Sequence, residues 1–242
     1  MRTPHVPLAA GLLTLALLLA GGAAATAASA PLQPSSTAPG SGRVGTTDHI
    51  LTTVWTAVGQ VQSGRIYVYR SLNSGKTWQS YFVTSDATHG GGVASLTLDF
   101  ANRSDGWLLV MGSPGVGNAP WAIFHTVNGG ATWTREPAQG SPFVRGDGQA
   151  QIHFTTDETG YIDTLIPMYS PMRVYVWVTH NAGLDWTEHY FTLPSSEPFS
   201  GQVTAPKFTT ARAGTLEVVP ADGGAPLTYA TTDGGAVWLP IH

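Results

Sequence analysis

The sequence predicts an all-β chain made of four copies of one antiparallel unit. Three observations predict it. An eight-residue pattern, Ser/Thr-x-Asn/Asp-x-Gly-x-x-Trp, occurs at Ser71–Trp78, Thr126–Trp133, Thr179–Trp186 and Thr231–Trp238, with its tryptophans 55, 53 and 52 residues apart. A second pattern, Phe-x5-Gly, keeps the same beat at Phe100–Gly106, Phe154–Gly160 and Phe208–Gly214. Two markers sharing a period of about 53 residues are the signature of a repeat architecture. The composition agrees: 29 Gly, 17 Pro, eight Trp and eight Tyr, with only 11% charged residues, suit a turn-rich β-protein better than a helical bundle.

Each unit resolves into strands by period-two alternation on either side of a turn signal. The second unit reads VASLTLDF (93–100), GWLLVMG (106–112), WAIFHT (121–126) and WTREP (133–137). The third reads QAQIHF, GYIDTLI, RVYVWV and WTEHYF, and the fourth VTAPKF, GTLEVV, PLTYAT and VWLPI. The first has ILTTVWTAV, RIYVYR and WQSYFV; its inner strand comes from the segment near Arg43–His49 or is missing. The units therefore span about 48–84, 92–138, 148–194 and 202–242. In each tryptophan motif the Asn or Asp is expected to accept from a backbone N–H two residues on. The Gly supplies a positive φ, and the Trp folds back over its hairpin. The residues assigned to this structural role are Asn73, Gly75 and Trp78; Asn128, Gly130 and Trp133; Asn181, Gly183 and Trp186; and Asp233, Gly235 and Trp238. Tyr69, Phe124, Trp177 and Tyr229 align in one column, expected to pack between units.

The N-terminus is a separate object. Arg2, the apolar run LAAGLLTLALLLAGG and the small residues AAATAASA predict a secretory signal peptide over residues 1–30. Ala25-Thr26-Ala27 and Ala28-Ser29-Ala30 offer cleavage sites; the alternative is a retained anchor, the only route to a membrane partner. Residues 31–47 read as a Pro/Ser/Gly linker. The chain is expected to be exported.

The four tryptophan motifs resemble Asp boxes, also called BNR repeats, of sialidases and other β-propellers. Paired with the Phe-x5-Gly segments, they are similar to the propeller repeats of photosystem II assembly/stability factors and related secreted bacterial proteins. The resemblance covers residues from about 48 to 242 and implies a β-propeller of about four four-stranded blades. Such a propeller closes alone, pairs with a second copy as a homodimer, or stays an open arc. The resemblance is poorly specific for activity, because these turns recur in propellers of unrelated function.

Both repeated motifs belong to turns on one face, so function is expected on the opposite face, whose loops vary: 84–92, 113–120, 137–149, 167–172, 193–201 and 220–226. Trp121, Phe143, Arg145, Tyr169 and Arg173 are the aromatic and cationic candidates for ligand binding there. A sialidase would be implied to carry an Arg triad, a Tyr–Glu pair, an acid/base Asp and an Arg-Ile-Pro segment; the nearest segment here is Arg65-Ile66-Tyr67. No hydrolase elbow, zinc-helix or phosphate-loop motif occurs. The absence of cysteine excludes disulfides and thiolate sites, and a formal charge of −4 without a basic run argues against nucleic acid. The expectation is a non-catalytic, cofactor-free and metal-free module that binds protein or glycan; the alternative is a sialidase-like or other glycan-processing hydrolase or lyase.

Overall fold

The chain alternates hydrophobic and polar residues along short segments punctuated by Gly and Pro, and these segments pair as four antiparallel sheets with no helix among the described residues. The computed structural model describes residues 43–89, 92–113, 119–137, 150–166, 172–194 and 201–241. The segment read as a signal peptide and most of the stretch read as a linker lie outside them. Sheet 1 comprises β1 (Arg43–Ile50), β2 (Thr53–Gln60), β3 (Ile66–Ser71) and β4 (Gln79–Thr84). Sheet 2 comprises β5 (Ser95–Phe100), β6 (Gly106–Met111), β7 (Trp121–Thr126) and β8 (Thr134–Arg135). Sheet 3 comprises β9 (Ala150–Phe154), β10 (Gly160–Ile166), β11 (Arg173–Thr179) and β12 (Thr187–Thr192). Sheet 4 comprises β13 (Gly201–Val203), β14 (Lys207–Phe208), β15 (Gly214–Pro220), β16 (Leu227–Thr231) and β17 (Leu239–Ile241).

Of the two alternatives for the first unit's inner strand, the Arg43–His49 segment supplies it: β1 begins at Arg43, inside the stretch read as linker, with Val44, Thr46, Asp48 and Ile50 half-buried. One expectation needs correction. The segment VTAPKF is not one strand. Pro206 has no N–H to give a ladder, so β13 and β14 pair separately with β15 on either side of it.

The core is three slabs, each filling a joint between consecutive sheets. Trp55, Ala57, Ile66 and Val68 of sheet 1 meet Leu98, Leu108, Val110 and Phe124 of sheet 2. Trp107, Leu109 and Ile123 of sheet 2 meet Ile152, Ile162 and Trp177 of sheet 3. Tyr161, Val174, Val176 and Val178 of sheet 3 meet Val203, Leu216, Val218 and Tyr229 of sheet 4. A fully apolar side chain buried in such a slab stabilises by about 1.5–3 kcal/mol.

The turns follow one plan. Ser71 Oγ donates to Asn73 Oδ1 (2.9 Å) and accepts from Gly75 N (2.8 Å), while Asn73 Oδ1 accepts from Thr77 N (2.9 Å). The carboxamide oxygen thus serves the N–H four residues on, not two as expected, because the N–H two on is taken by the hydroxyl. The same bonds recur at Thr126/Asn128, Thr179/Asn181 and Thr231/Asp233. The glycines take φ of +82°, +85°, +94° and +95° at 75, 130, 183 and 235. Trp133, Trp186 and Trp238 close their own turns by donating Nε1–H to Gly130, Gly183 and Gly235 carbonyls at 2.9–3.0 Å. The Phe-x5-Gly glycines have a different reason: a Cβ on Gly106, Gly160 or Gly214 would stand 2.4, 2.5 or 2.8 Å from the ring of Phe100, Phe154 or Phe208.

One further device repeats at the joints. An aromatic residue of β2, β6 or β10 reaches into the tryptophan turn of the next sheet. Trp55 donates its indole N–H to Gly129 O and Trp107 to Ala182 O, both at 2.9 Å; Tyr161 lies against Gly235. Each plug stacks on the next sheet's motif phenylalanine, Trp55 on Phe100 (3.9 Å), Trp107 on Phe154 (3.5 Å) and Tyr161 on Phe208 (4.4 Å). That phenylalanine stands edge-on to the turn's own tryptophan at 6.0–6.2 Å. No corresponding joint links sheet 4 back to sheet 1 among the described residues.

Candidate functional site

Strand alternation sends Arg173, Tyr175 and Trp177 of β11 to one face of sheet 3, toward sheet 2. The register of β11 with β12 sets Tyr190 directly opposite Tyr175, with ring centroids 5.6 Å apart. Arg173 lies over the Tyr190 ring, its guanidinium carbon 4.7 Å from the centroid, and its Nη1 donates to Tyr175 Oη at 3.4 Å. A guanidinium in this position is held by the ring quadrupole, worth about 0.5–1 kcal/mol at an exposed site. Trp121, at the start of β7, is half-buried against the hydrophobic cluster that contains Tyr175. Tyr175 is buried, whereas Tyr190 is 54% exposed. The result is a cationic aromatic patch at the end of β11 that leads into the variable loops.

Of the candidates read from sequence, Trp121 and Arg173 therefore flank the joint between sheets 2 and 3. Phe143, Arg145 and Tyr169 lie outside the described residues. Sequence reasoning missed Tyr175 and Tyr190. Their signal was available in the alternation of RVYVWV and WTEHYF, but the cross-strand register that pairs them was not.

Tyr190 also lines a groove of about 670 Å³ between sheets 3 and 4, together with Phe191, Pro194, Leu227, Tyr229 and Ile241.

The inner strands carry a polar row of another kind. Asp48 Oδ2 accepts from Phe100 N (2.8 Å) and Asp99 Oδ2 from Phe154 N (2.6 Å), each capping the inner strand of the next sheet. Thr97 and Gln151 donate to Ala150 and Val203 carbonyls one layer away. His153 Nδ1 stands 3.1 Å from Asp99 Oδ1, a contact that raises its pKa. Burial raises that of Asp48. These carboxylates are occupied in holding sheets together, which is a positioning role.

Three of the described arginines are held in contacts within the fold. Arg70 bonds Asn128 and Gly129 carbonyls and Tyr81, Arg135 meets His89, and Arg173 serves the tyrosines. Arg103 and Arg212 sit in the turns that carry Asn102 and Thr210. No group of three or more potential metal ligands occurs among the described residues.

No family model and no curated protein matches the sequence. Solved structures do. The chain is similar to the Hadza microbial sialidase Hz136 at TM-score 0.54 and 16% identity, covering 83% of this chain and 45% of that one. It is similar to the NanB sialidase from Streptococcus pneumoniae at TM-score 0.51 and 8% identity, covering 81% and 51%. Other matches are propeller glycoside hydrolases, among them a fructofuranosidase from Schwanniomyces occidentalis at TM-score 0.46 and 10% identity, covering 79% and 43%. The chain thus spans about half the length of these structures. At such identities the likeness establishes the fold, a sialidase-like β-propeller of four antiparallel sheets.

Proposed function

We propose that this chain is an exported β-propeller that acts on glycans, its tryptophan turns being Asp boxes and its ligand face the rim bearing Trp121, Arg173, Tyr175 and Tyr190. One observation carries the reading: an exposed tyrosine ring, Tyr190, is fixed from behind by Tyr175 and Arg173 rather than buried. A rigid aromatic face beside a cationic donor suits a sugar, whose ring offers both an apolar C–H face and hydroxyls. Residues on the rim of a rigid scaffold are where binding specificity normally resides. The fold shared with glycan-processing hydrolases favours a glycan over a protein ligand, and favours processing over passive binding. The reading does not include sialidase chemistry in its usual residue set, because no Arg-Ile-Pro segment occurs in the sequence.

The test is a titration with neutral and acidic oligosaccharides together with release of the chromophore from a panel of aryl glycosides. Tyr190→Ala is expected to abolish glycan binding while leaving the melting temperature within a few degrees. Unchanged glycan affinity in that variant, or no binding and no turnover across the panel, contradicts the proposal.

A further inference from the structure

The groove between sheets 3 and 4 differs in chemistry from the patch that it adjoins. Phe191, Tyr229 and Trp238 form its buried floor, with the Phe191 and Tyr229 rings 4.2 Å apart. Nearest solvent stand three exposed prolines: Pro194 after β12, Pro226 before β16 and Pro240 in β17. A proline has a fixed φ and no N–H, so these three make a rigid edge without donors. The Trp238 indole N–H is taken by the Gly235 carbonyl. None of the lining residues described is charged. Such walls match carbon rather than an array of hydroxyls. The volume of about 670 Å³ falls within the roughly 300–1,000 Å³ of small-molecule sites.

Groove and patch meet across one strand. β12 is the outer strand of sheet 3, and its alternation puts the Tyr190 ring with Tyr175 and Arg173 on one face and Phe191 with Tyr229 on the other. Tyr190 borders both. Pro194 and Pro226 belong to two of the variable loops, 193–201 and 220–226, so both sites open on the same rim.

We infer that the groove is the subsite for an apolar aglycone. The ligand is a glycoside whose sugar lies on Tyr190 beside Arg173, while an alkyl or aryl group attached to it crosses β12 and enters between the prolines. This rests on the glycan reading and narrows its substrate class to glycoconjugates that carry an apolar group. A competing occupant is the chain's own Phe199, which lies outside the described residues in the segment that follows Pro194; the experiment separates the two.

The full chain is titrated with the methyl and n-hexyl β-glycosides of D-glucose and D-galactose, below their micelle concentrations, while backbone amide resonances are followed. Both members of a pair are expected to move Tyr175 and Tyr190, and only the hexyl member Phe191, Thr228 and Tyr229. Each methylene added between methyl and hexyl is expected to tighten binding by up to about fourfold. Pro240→Asp sets a carboxylate at the exposed edge of the groove and is expected to bring the hexyl member down to the affinity of the methyl one. Leu239→Asp, on the opposite face of β17, should preserve the gain. Equal affinity for the two members, or the same loss of gain in both variants, overturns the inference and leaves the glycan reading standing. A gain that appears only in Phe199→Ala also overturns it, because the groove then belongs to the chain itself. Failure of all four glycosides to bind counts against the glycan reading, and the inference falls with it.

Discussion

The identity of single residues in the turns follows from which atoms they must satisfy. Asn73, Asn128 and Asn181 each donate Nδ2–H to a side-chain oxygen four residues on, from Thr77, Thr132 and Asp185. In the fourth turn that position is Val237, which accepts nothing, and the residue is Asp233 instead. Its pKa is lowered, first by the Val237 N–H and then by the Thr231 hydroxyl. The sign is that of a depressed carboxylate: the contribution is present above the unfolded pKa near 3.9 and is lost as pH falls through the folded value. The glycines are equally constrained. Gly183→Ala and Gly235→Ala place a Cβ at φ of +94° and +95°, and at 235 also 3.1 Å from Tyr161. Chemical denaturation is expected to show a loss of roughly 1–3 kcal/mol for each; a loss indistinguishable from zero would remove the positive-φ argument. Trp186→Ala, a buried indole whose N–H is bonded, is expected to cost about 3–5 kcal/mol. The half-buried Trp133 is expected to cost less than Trp186, measured the same way.

At the scale of the elements, sheet 3 is where stability should depend on pH. Asp163 of β10 is buried and faces sheet 4 beside Val174, Val176 and Val178, and its Oδ2 has no partner. Burial raises its pKa well above the ordinary value. A raised carboxylate contributes most below the unfolded pKa, about 3.9, and that contribution declines as pH rises toward the folded value. His153, raised chiefly by its bond to Asp99, behaves likewise in a later window: its contribution is complete below about 6.5 and disappears as pH climbs through the folded value. Melting temperatures are therefore expected to fall as pH rises above about 3.9. Asp163→Asn should flatten the decline that begins there, and His153→Gln the further decline that begins near 6.5; a profile unchanged by both would disprove the assignment. None of this was legible in the sequence. Alternation placed β10 correctly, yet Asp163 in GYIDTLI reads as a polar residue on a half-wet strand. Only the neighbouring sheet makes it buried.

Across the whole molecule, the repeat was legible because its markers are punctuation: Gly with positive φ, Gly under a ring, and Trp over a turn cannot be replaced without loss. Fourteen of the strands followed from alternation between those marks. What the sequence did not reveal is how sheets join. Trp55 and Trp107 look like ordinary strand residues, and the acceptor for each lies 74 or 75 residues further along the chain. The ligand patch was half legible for the same reason: Trp121 and Arg173 stand beside the loops, while Tyr190 enters through a cross-strand register.

The joint itself is the centre of the account. Trp107→Phe keeps the ring over Phe154 but removes the indole N–H, leaving the Ala182 carbonyl without its donor at a cost of about 1–3 kcal/mol. The most direct measurement is hydrogen exchange at the indole N–H groups of the intact protein. Trp55 and Trp107 are expected to exchange as slowly as Trp186 and Trp238, because all four donate to backbone carbonyls inside the fold. Exchange at Trp55 and Trp107 as fast as in free tryptophan would mean that the sheets are not plugged into one another.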